Sequence, residues 1–173
     1  IAAMMEYEFK RRGADFEAYG TIAASANNAN TLHYVKNSKK MRDGELLLID
    51  AGCEYGSYAS DITRTIPVGG KFSDAQREVY EIVLSTQKKI IKLVKAGVMR
   101  SELQKKAELL LTKGLVKLGV LYGKPKELVE KKLHKPYYPH GIGHHMGLDV
   151  HDEVPYSKKD GSEIALIAGM VLT

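Results

Sequence analysis

The sequence predicts an α+β fold in which helices cover an antiparallel sheet. The order of elements runs helix, strands, helices, strands, without the regular β-α-β alternation of a parallel sheet. Two serine-led segments have the form of helix-starting capping boxes, and a short continuous apolar run has the length of a buried strand. No internal repeat and no linker divides the chain, so we predict a single domain over residues 1–173.

The N-terminal half is predicted to form one helix followed by strands. Residues 1–12 have helical spacing of apolar side chains and are followed by Gly13, which is typical of a helix end. The apolar run at 45–49 indicates a strand buried on both faces. The predicted strands are 21–26, 45–49 and 58–66, with a turn at 27–30 and a stop at Pro67.

Three helices are predicted in the second half. The capping box 73–76 begins the first helix, which we expect to end at Gly97. A second box at 101–104 begins the next helix, which ends at Gly119. Pro125 suits the first turn of a short third helix that ends near Leu133. The apolar positions expected to face inward are Val79, Ile82, Val83, Ile90, Leu93 and Val94 on the first helix and Leu103, Ala107, Leu110, Leu111, Leu115 and Leu118 on the second.

Composition and charge exclude several classes of protein. The net charge is +5, but the lysines of the helical part alternate with apolar positions, which favours a solvated helix face over a nucleic-acid surface. No apolar stretch is long enough to span a membrane. The single cysteine, Cys53, cannot form an internal disulfide, so we expect a reducing, cytoplasmic location. The chain begins without methionine and stops in the apolar run 170–173, and we therefore expect a piece of a longer protein.

Asp50 and Asp61 flank a predicted hairpin. If its turn is centred on Tyr55 and Gly56, the two aspartates are equidistant from the centre and lie opposite each other, with Cβ atoms about 5 Å apart. Facing carboxylates repel, and a bound cation would remove that cost. Two other interpretations stay open: each aspartate pairs with a base such as Arg64, or the register differs and one side chain points outward.

Four of the six histidines lie between residues 140 and 151, in a glycine-rich segment. We predict that this segment is extended, which would place His140 and His144 on one face. A lone histidine is usually structural, but this density favours a site. Carboxylates with one or two imidazoles form a mixed oxygen and nitrogen ligand set that suits Mn²⁺, Co²⁺, Fe²⁺ or Zn²⁺.

Several segments together resemble the bacterial Xaa-Pro aminopeptidases of the pita-bread metallopeptidase family. They are Ile-Asp-Ala-Gly at 49–52, Ser-Asp-Ile-Thr-Arg-Thr at 60–65, His-Gly-Ile-Gly-His at 140–144 and Gly-Leu-Asp-Val-His-Asp at 147–152. Residues 41–45 and 70–73 are also similar, so the resemblance covers nearly the whole chain. It implies a pita-bread fold, with two antiparallel α+β halves around two divalent metal ions, usually Mn²⁺.

The resemblance also assigns roles to individual residues. Asp50 would be a ligand of one metal, Asp61 a carboxylate that bridges both, and His144 the imidazole ligand of the other. The substrate contacts, which would hold the proline-side carbonyl and stabilise the tetrahedral intermediate, would come from His33, His140 and His151. His145 occupies a place where relatives often have an aromatic residue, and it receives no catalytic role.

The family has two further ligands, both glutamates near its C-terminus, and an amino-terminal domain involved in assembly. Neither lies within these residues, so we expect a partial, C-terminally truncated catalytic domain with a weakened or empty metal site, from a parent that is a homo-oligomer. The implied activity is removal of the N-terminal residue from peptides with proline in second position. The alternatives are a prolidase, which cleaves Xaa-Pro dipeptides, and a catalytically silent module that binds peptides or proteins.

Overall fold

The computed structural model describes residues 1–173, which form two compact units. The first unit comprises residues 1–73, 144–154 and 171–173, and the second comprises 74–143 and 155–170. Helices and antiparallel strands are both present, so the predicted α+β class is confirmed. No helix combines the length and the apolar character that a bilayer crossing requires.

The first unit contains one helix and two three-stranded antiparallel sheets. The sheets have the strand orders β1-β4-β5 and β2-β3-β6. Ile22, Ala24, Leu47 and Ala51 are the buried apolar side chains of this unit, so its core lies on β2 and β3. The elements are α1 (Ala2–Arg11), β1 (Phe16–Glu17), β2 (Ile22–Ser25), a 3-10 helix (Ala26–Asn30), β3 (Leu46–Ala51), β4 (Cys53–Tyr55), β5 (Tyr58–Ala59) and β6 (Ile62–Pro67).

The hairpin that carries the two aspartates has a different register from the predicted one. Tyr55 pairs with Tyr58, so the turn is centred on Gly56 and Ser57. Both turn residues have positive φ, 57° and 68°, as a two-residue turn that matches the strand twist requires. Asp50 therefore pairs with Thr63 and not with Asp61. Each partner has moved by two residues, and a shift of two leaves every side chain on its predicted face.

Gly52 lies where this hairpin passes from one sheet to the other. It is buried, and a Cβ built on it would overlap the carbonyl oxygen of Ser60. On the opposite strand, the hydroxyl of Ser60 accepts a hydrogen bond from the Cys53 amide at 2.9 Å. The close backbone approach at this crossing requires glycine, and it sets the positions of Asp50 before it and Asp61 opposite it.

The second unit is helical, with α2 (Asp74–Ile91), α3 (Arg100–Lys117) and α4 (Pro125–Glu130). Its buried apolar side chains are Ile90, Leu103, Ala107, Leu128 and Leu166. The inward face predicted for α2 is wrong in part, since Val79 and Val83 are about half exposed. The inward positions are Ile82, Thr86 and Ile90, which are spaced by four residues. An inward helix face is predicted from apolar side chains, so the buried but polar Thr86 is not predicted to lie on it.

The contact between α2 and α3 depends on Gly114. This glycine is buried, and a Cβ on it would overlap Cγ2 of Ile82. We expect Gly114→Val to lower the free energy of unfolding by about 1–3 kcal/mol, because the helices must separate or Ile82 must leave its rotamer. Urea unfolding of this chain measures the change. Lys113→Val, on an exposed position of the same helix, is the control for the lower helix propensity of valine, and an equal loss in both variants would contradict the overlap.

The start of α3 is capped by a distant carboxylate and not by the predicted capping box. The helix begins at Arg100, so Ser101 lies inside its first turn. Glu163 accepts hydrogen bonds from the backbone N–H of Ser101 at 2.8 Å and from its hydroxyl at 2.5 Å. A carboxylate at a helix N-terminus satisfies free amides and interacts favourably with the helix dipole. The sequence gives no sign of this pairing because the partners are 62 residues apart.

This cap predicts a pH-dependent stability. The hydrogen bonds from Ser101 hold the pKa of Glu163 below its ordinary value of 4.5. A group with a lowered folded-state pKa stabilises the fold at pH values above its unfolded pKa, and this contribution is lost as the pH falls through the folded pKa. We expect Glu163→Gln to lower the Tm near neutral pH. As the pH is lowered, the Tm of this variant should fall less than the Tm of the wild type. Thermal unfolding from about pH 7 to about pH 3 tests this. Glu130→Gln is the control, and parallel curves for wild type and Glu163→Gln would contradict the cap.

Candidate metal centre

The carboxylates of Asp50 and Asp61 approach each other through the hydroxyl of Tyr19. The Tyr19 oxygen lies 2.5 Å from Oδ1 of Asp50 and 3.0 Å from Oδ1 of Asp61. Asp50 lies near the end of β3, Asp61 directly precedes β6, and Tyr19 lies just before β2. A tyrosine hydroxyl has one proton to donate, so it cannot neutralise two carboxylates. The predicted proximity of the aspartates on one face is therefore present, although they are not directly opposite.

The imidazole of His144 contacts the other oxygen of Asp61. Its Nε2 lies 3.3 Å from Asp61 Oδ2, and its Nδ1 lies 2.9 Å from the backbone carbonyl of His145. A carbonyl can only accept, so Nδ1 carries the proton and donates it to this bond. In the neutral imidazole Nε2 is then a lone pair directed at a carboxylate oxygen, an arrangement that a proton or a metal cation between them would stabilise. Metal-binding histidines are commonly oriented in this way.

Asp61 thus directs its two oxygens at different partners. Oδ1 faces the Tyr19 hydroxyl shared with Asp50, and Oδ2 faces His144. Asp50 approaches Asp61 through Tyr19, and His144 contacts Asp61 directly. The three predicted ligands therefore do not form a group of three side chains around one metal ion. The donor chemistry of two carboxylates and one imidazole fits a divalent cation that prefers oxygen and nitrogen ligands. The divided orientation of Asp61 fits a carboxylate that contacts two different centres.

No basic side chain neutralises the aspartates in the way that the alternative interpretation required. The guanidinium of Arg64 donates to the backbone carbonyl of Thr63 at 2.8 Å. The one basic side chain within contact distance of Asp61 is His144, and both side chains are largely buried, with 15% and 20% of their surfaces exposed. Partly buried carboxylates without a fixed cation attract one. The carboxylates of Asp50 and Asp61 therefore place negative charge around Tyr19, which a bound cation would compensate.

Tyr19 is a site residue that sequence reasoning missed. Burial, followed by the hydrogen bond to Asp50 and the charges of both aspartates, raises the pKa of Tyr19 far above its ordinary value. The side chain is therefore a neutral donor at any physiological pH. Its position before a strand, 31 and 42 residues from its two partners, leaves no periodic or motif signal in the sequence.

The glycine- and histidine-rich segment does not form the predicted strand. His145 makes a single bridge to Leu172, supported by hydrogen bonds from the Thr173 amide to the His144 carbonyl and from the Met146 amide to the Val171 carbonyl. This pairing fixes the backbone on both sides of His145, directly after His144. His145 itself is buried, with 5% of its surface exposed.

The three histidines predicted to contact substrate lie in different environments. The rings of His151 and His144 form an edge-to-face pair with centroids 4.1 Å apart. His33 is exposed in a turn of the same unit, with a φ of 55°. His140 belongs to the second unit. No strand includes residues 140–144, so the prediction that His140 and His144 share a strand face is wrong. The substrate roles of the three histidines stay predictions.

Two carboxylates and an anchored imidazole on an α+β scaffold fit a protein that binds divalent metal ions, a class that includes metal-dependent hydrolases. The comparison with known protein families narrows this class. The chain belongs to the metallopeptidase family M24, whose model matches residues 1–173.

Curated relatives and solved structures agree with this family. The chain is 48% identical to the Xaa-Pro aminopeptidase of Escherichia coli over 98% of its own length, and 47% identical to that of Haemophilus influenzae over 96%. It spans 38% of the length of each of these relatives. A structure of a histidine-to-alanine variant of Escherichia coli aminopeptidase P superimposes with a TM-score of 0.92, at 46% identity, over 96% of this chain and 38% of that one. Other solved forms of the Escherichia coli enzyme include a zinc-substituted complex with product and a complex with the inhibitor Pro-Leu.

Proposed function

We propose that the full-length protein containing this chain is a metal-dependent aminopeptidase that releases the N-terminal residue from peptides with proline in second position. The observation that carries the proposal is the orientation of Asp61, with one oxygen toward the Tyr19–Asp50 pair and the other toward His144. The names of the relatives at 47–48% identity support the choice of substrate. The proposal includes two divalent ions, with Mn²⁺ as the working metal.

In this proposal Asp50, Asp61 and His144 hold the metal ions. Divalent ions, when bound there, supply a water of lowered pKa and polarise the scissile carbonyl. Asp61 would offer one oxygen toward Asp50 and the other toward His144, and the His145 carbonyl holds His144 in the tautomer with a free Nε2. Tyr19 donates to Asp50 and limits the motion of both carboxylates. We assign His33, His140 and His151 to the substrate, where an imidazole donor aimed at developing negative charge contributes about 2–4 kcal/mol.

The test is a peptide assay on the full-length protein with Mn²⁺. We expect release of the first residue from Xaa-Pro-Xaa peptides and no cleavage of matched Xaa-Ala-Xaa peptides. Turnover of Xaa-Pro dipeptides alone would reject this proposal in favour of a prolidase. Peptide binding without turnover, under conditions in which metal is bound, would favour the catalytically silent module.

We expect the isolated 173-residue chain to be inactive in the same assay. The resemblance places two glutamate ligands outside these residues, and three ligands related in pairs leave a metal ion weakly held. Rapid hydrolysis by this chain alone would show that the two glutamates are dispensable.

A further inference from the structure

The side chain of Asn37 takes the place of a neighbouring strand at the edge of β2. Its Oδ1 accepts a hydrogen bond from the backbone N–H of Ala23 at 2.8 Å. Its Nδ2 donates to the backbone carbonyl of Thr21 at 2.6 Å. Since β2 is the outer strand of the order β2-β3-β6, these two groups belong to an edge without a strand partner. One amide side chain thus supplies the donor and the acceptor that a backbone peptide would supply.

The two groups that Asn37 binds lie on either side of Ile22, and Ile22 is the residue paired with Asp50 on β3. The same stretch of chain begins with Tyr19, whose hydroxyl contacts Asp50 and Asp61. Asn37 is therefore attached to the backbone segment that positions two of the groups at the candidate metal centre. Its attachment point is one strand away from Asp50.

The attached loop carries His33. Residues 31–37 contain no helix or strand, and two of them, His33 and Asn37, have left-handed φ values of 55° and 49°. A Cβ built on Gly20 would meet Cγ1 of Val35 at an ordinary contact distance of 3.8 Å, so Val35 lies against the residue that follows Tyr19. Val35 and Asn37 thus both lie against the segment 19–23. Left-handed backbone in residues other than glycine persists where the surroundings enforce it.

We infer that Asn37 is a positioning residue. It fixes the loop that carries His33 to the edge of β2, and so keeps the imidazole of His33 at a constant position relative to Tyr19, Asp50 and Asp61. This inference rests on the proposed function for its catalytic meaning, because it takes His33 as a substrate contact. Asn37 touches neither the metal ligands nor, in this assignment, the substrate. It acts through the position of His33.

Asn37→Asp is the sharpest change, since it preserves shape and retains the acceptor for Ala23. It replaces the donor by an oxygen that faces the Thr21 carbonyl, and two acceptors at hydrogen-bond distance repel. Asn30→Asp is the matched control, because Asn30 is exposed and its amide bonds only to the side chain of Asn27. Asn37→Ser, which adds no charge, replaces Asn37→Asp if the latter does not fold.

The experiment is a double-mutant cycle in the full-length protein, combined with amide hydrogen exchange. We expect Asn37→Asp to lower kcat/KM for an Xaa-Pro-Xaa peptide about tenfold, and by less than about twofold when His33 is already alanine. Exchange of the Ala23 amide and of segment 31–37 should accelerate about tenfold in Asn37→Asp and not in Asn30→Asp.

Equal loss of kcat/KM in the two backgrounds would overturn the positioning role, because a general structural defect does not depend on His33. Unchanged exchange at Ala23 and in the loop would overturn the attachment itself. If the wild-type protein cleaves no Xaa-Pro peptide, the proposed function fails and the catalytic part of this inference fails with it. The exchange result then decides separately whether Asn37 fixes the loop.

Discussion

Replacement of Asp61 by asparagine in the full-length protein is expected to reduce kcat/KM for an Xaa-Pro-Xaa peptide by about a thousandfold or more. Asparagine has the same shape, but it carries no charge and offers one oxygen in place of two. Because Oδ1 and Oδ2 face different partners, the substitution weakens the contacts toward Asp50 and toward His144 together. Metal content, measured by elemental analysis after dialysis, should fall in parallel with activity.

The same substitution should leave the metal-free protein folded. Removal of one of two carboxylates that share a single tyrosine donor relieves repulsion, which offsets the lost contact with His144. The Tm of metal-free Asp61→Asn should therefore stay close to that of the metal-free wild type. Asp15→Asn, at an exposed aspartate of the same unit, is the control for the change in charge. Wild-type activity with metal bound in Asp61→Asn would remove the central residue from the proposed site.

The proximity of the aspartates could be predicted from the sequence even though the hairpin register could not. Both turn positions require positive φ, which Gly56 can adopt either as the first residue of a Gly56-Ser57 turn or as the second residue of a Tyr55-Gly56 turn, so the sequence is compatible with both centres. The choice between them moves each partner by two residues. Because side chains alternate with a period of two, either choice places Asp50 and Asp61 on the same face. The prediction of a site was therefore more robust than the prediction of its geometry.

The missed features share a physical cause, since each depends on contacts between residues distant in sequence. Tyr19 reaches Asp61 across 42 residues, and Glu163 caps α3 across 62. The inward position of Thr86 on α2 is a further case, because its burial follows from the neighbouring helix and not from its polarity. Local patterns specify elements and faces, whereas these pairings are set by tertiary packing.

His144 offers the second test with a large expected effect, because its two nitrogens have separate tasks. Nδ1 donates to the His145 carbonyl and holds the local backbone, while Nε2 faces Asp61. In His144→Asn, the amide nitrogen lies near the position of Nδ1 and can retain the first contact, but nothing replaces Nε2. In His144→Gln, the longer side chain places a polar atom near Nε2 and gives up the bond at Nδ1.

If His144 acts as a metal ligand, His144→Asn in the full-length protein should lower metal affinity and kcat/KM by about a hundredfold or more while the Tm of the metal-free form stays near the wild-type value. His144→Gln should retain more metal affinity than His144→Asn, because an oxygen near Nε2 can still coordinate. If His144 is instead a structural residue that only orders the pairing of 144–146 with 171–173, the order reverses, and His144→Asn is the milder change. Metal affinity measured by competition with a chelator, together with thermal unfolding of both metal-free variants, separates these outcomes. Greater activity in His144→Asn than in His144→Gln would therefore place the importance of His144 in its backbone bond and not in metal binding.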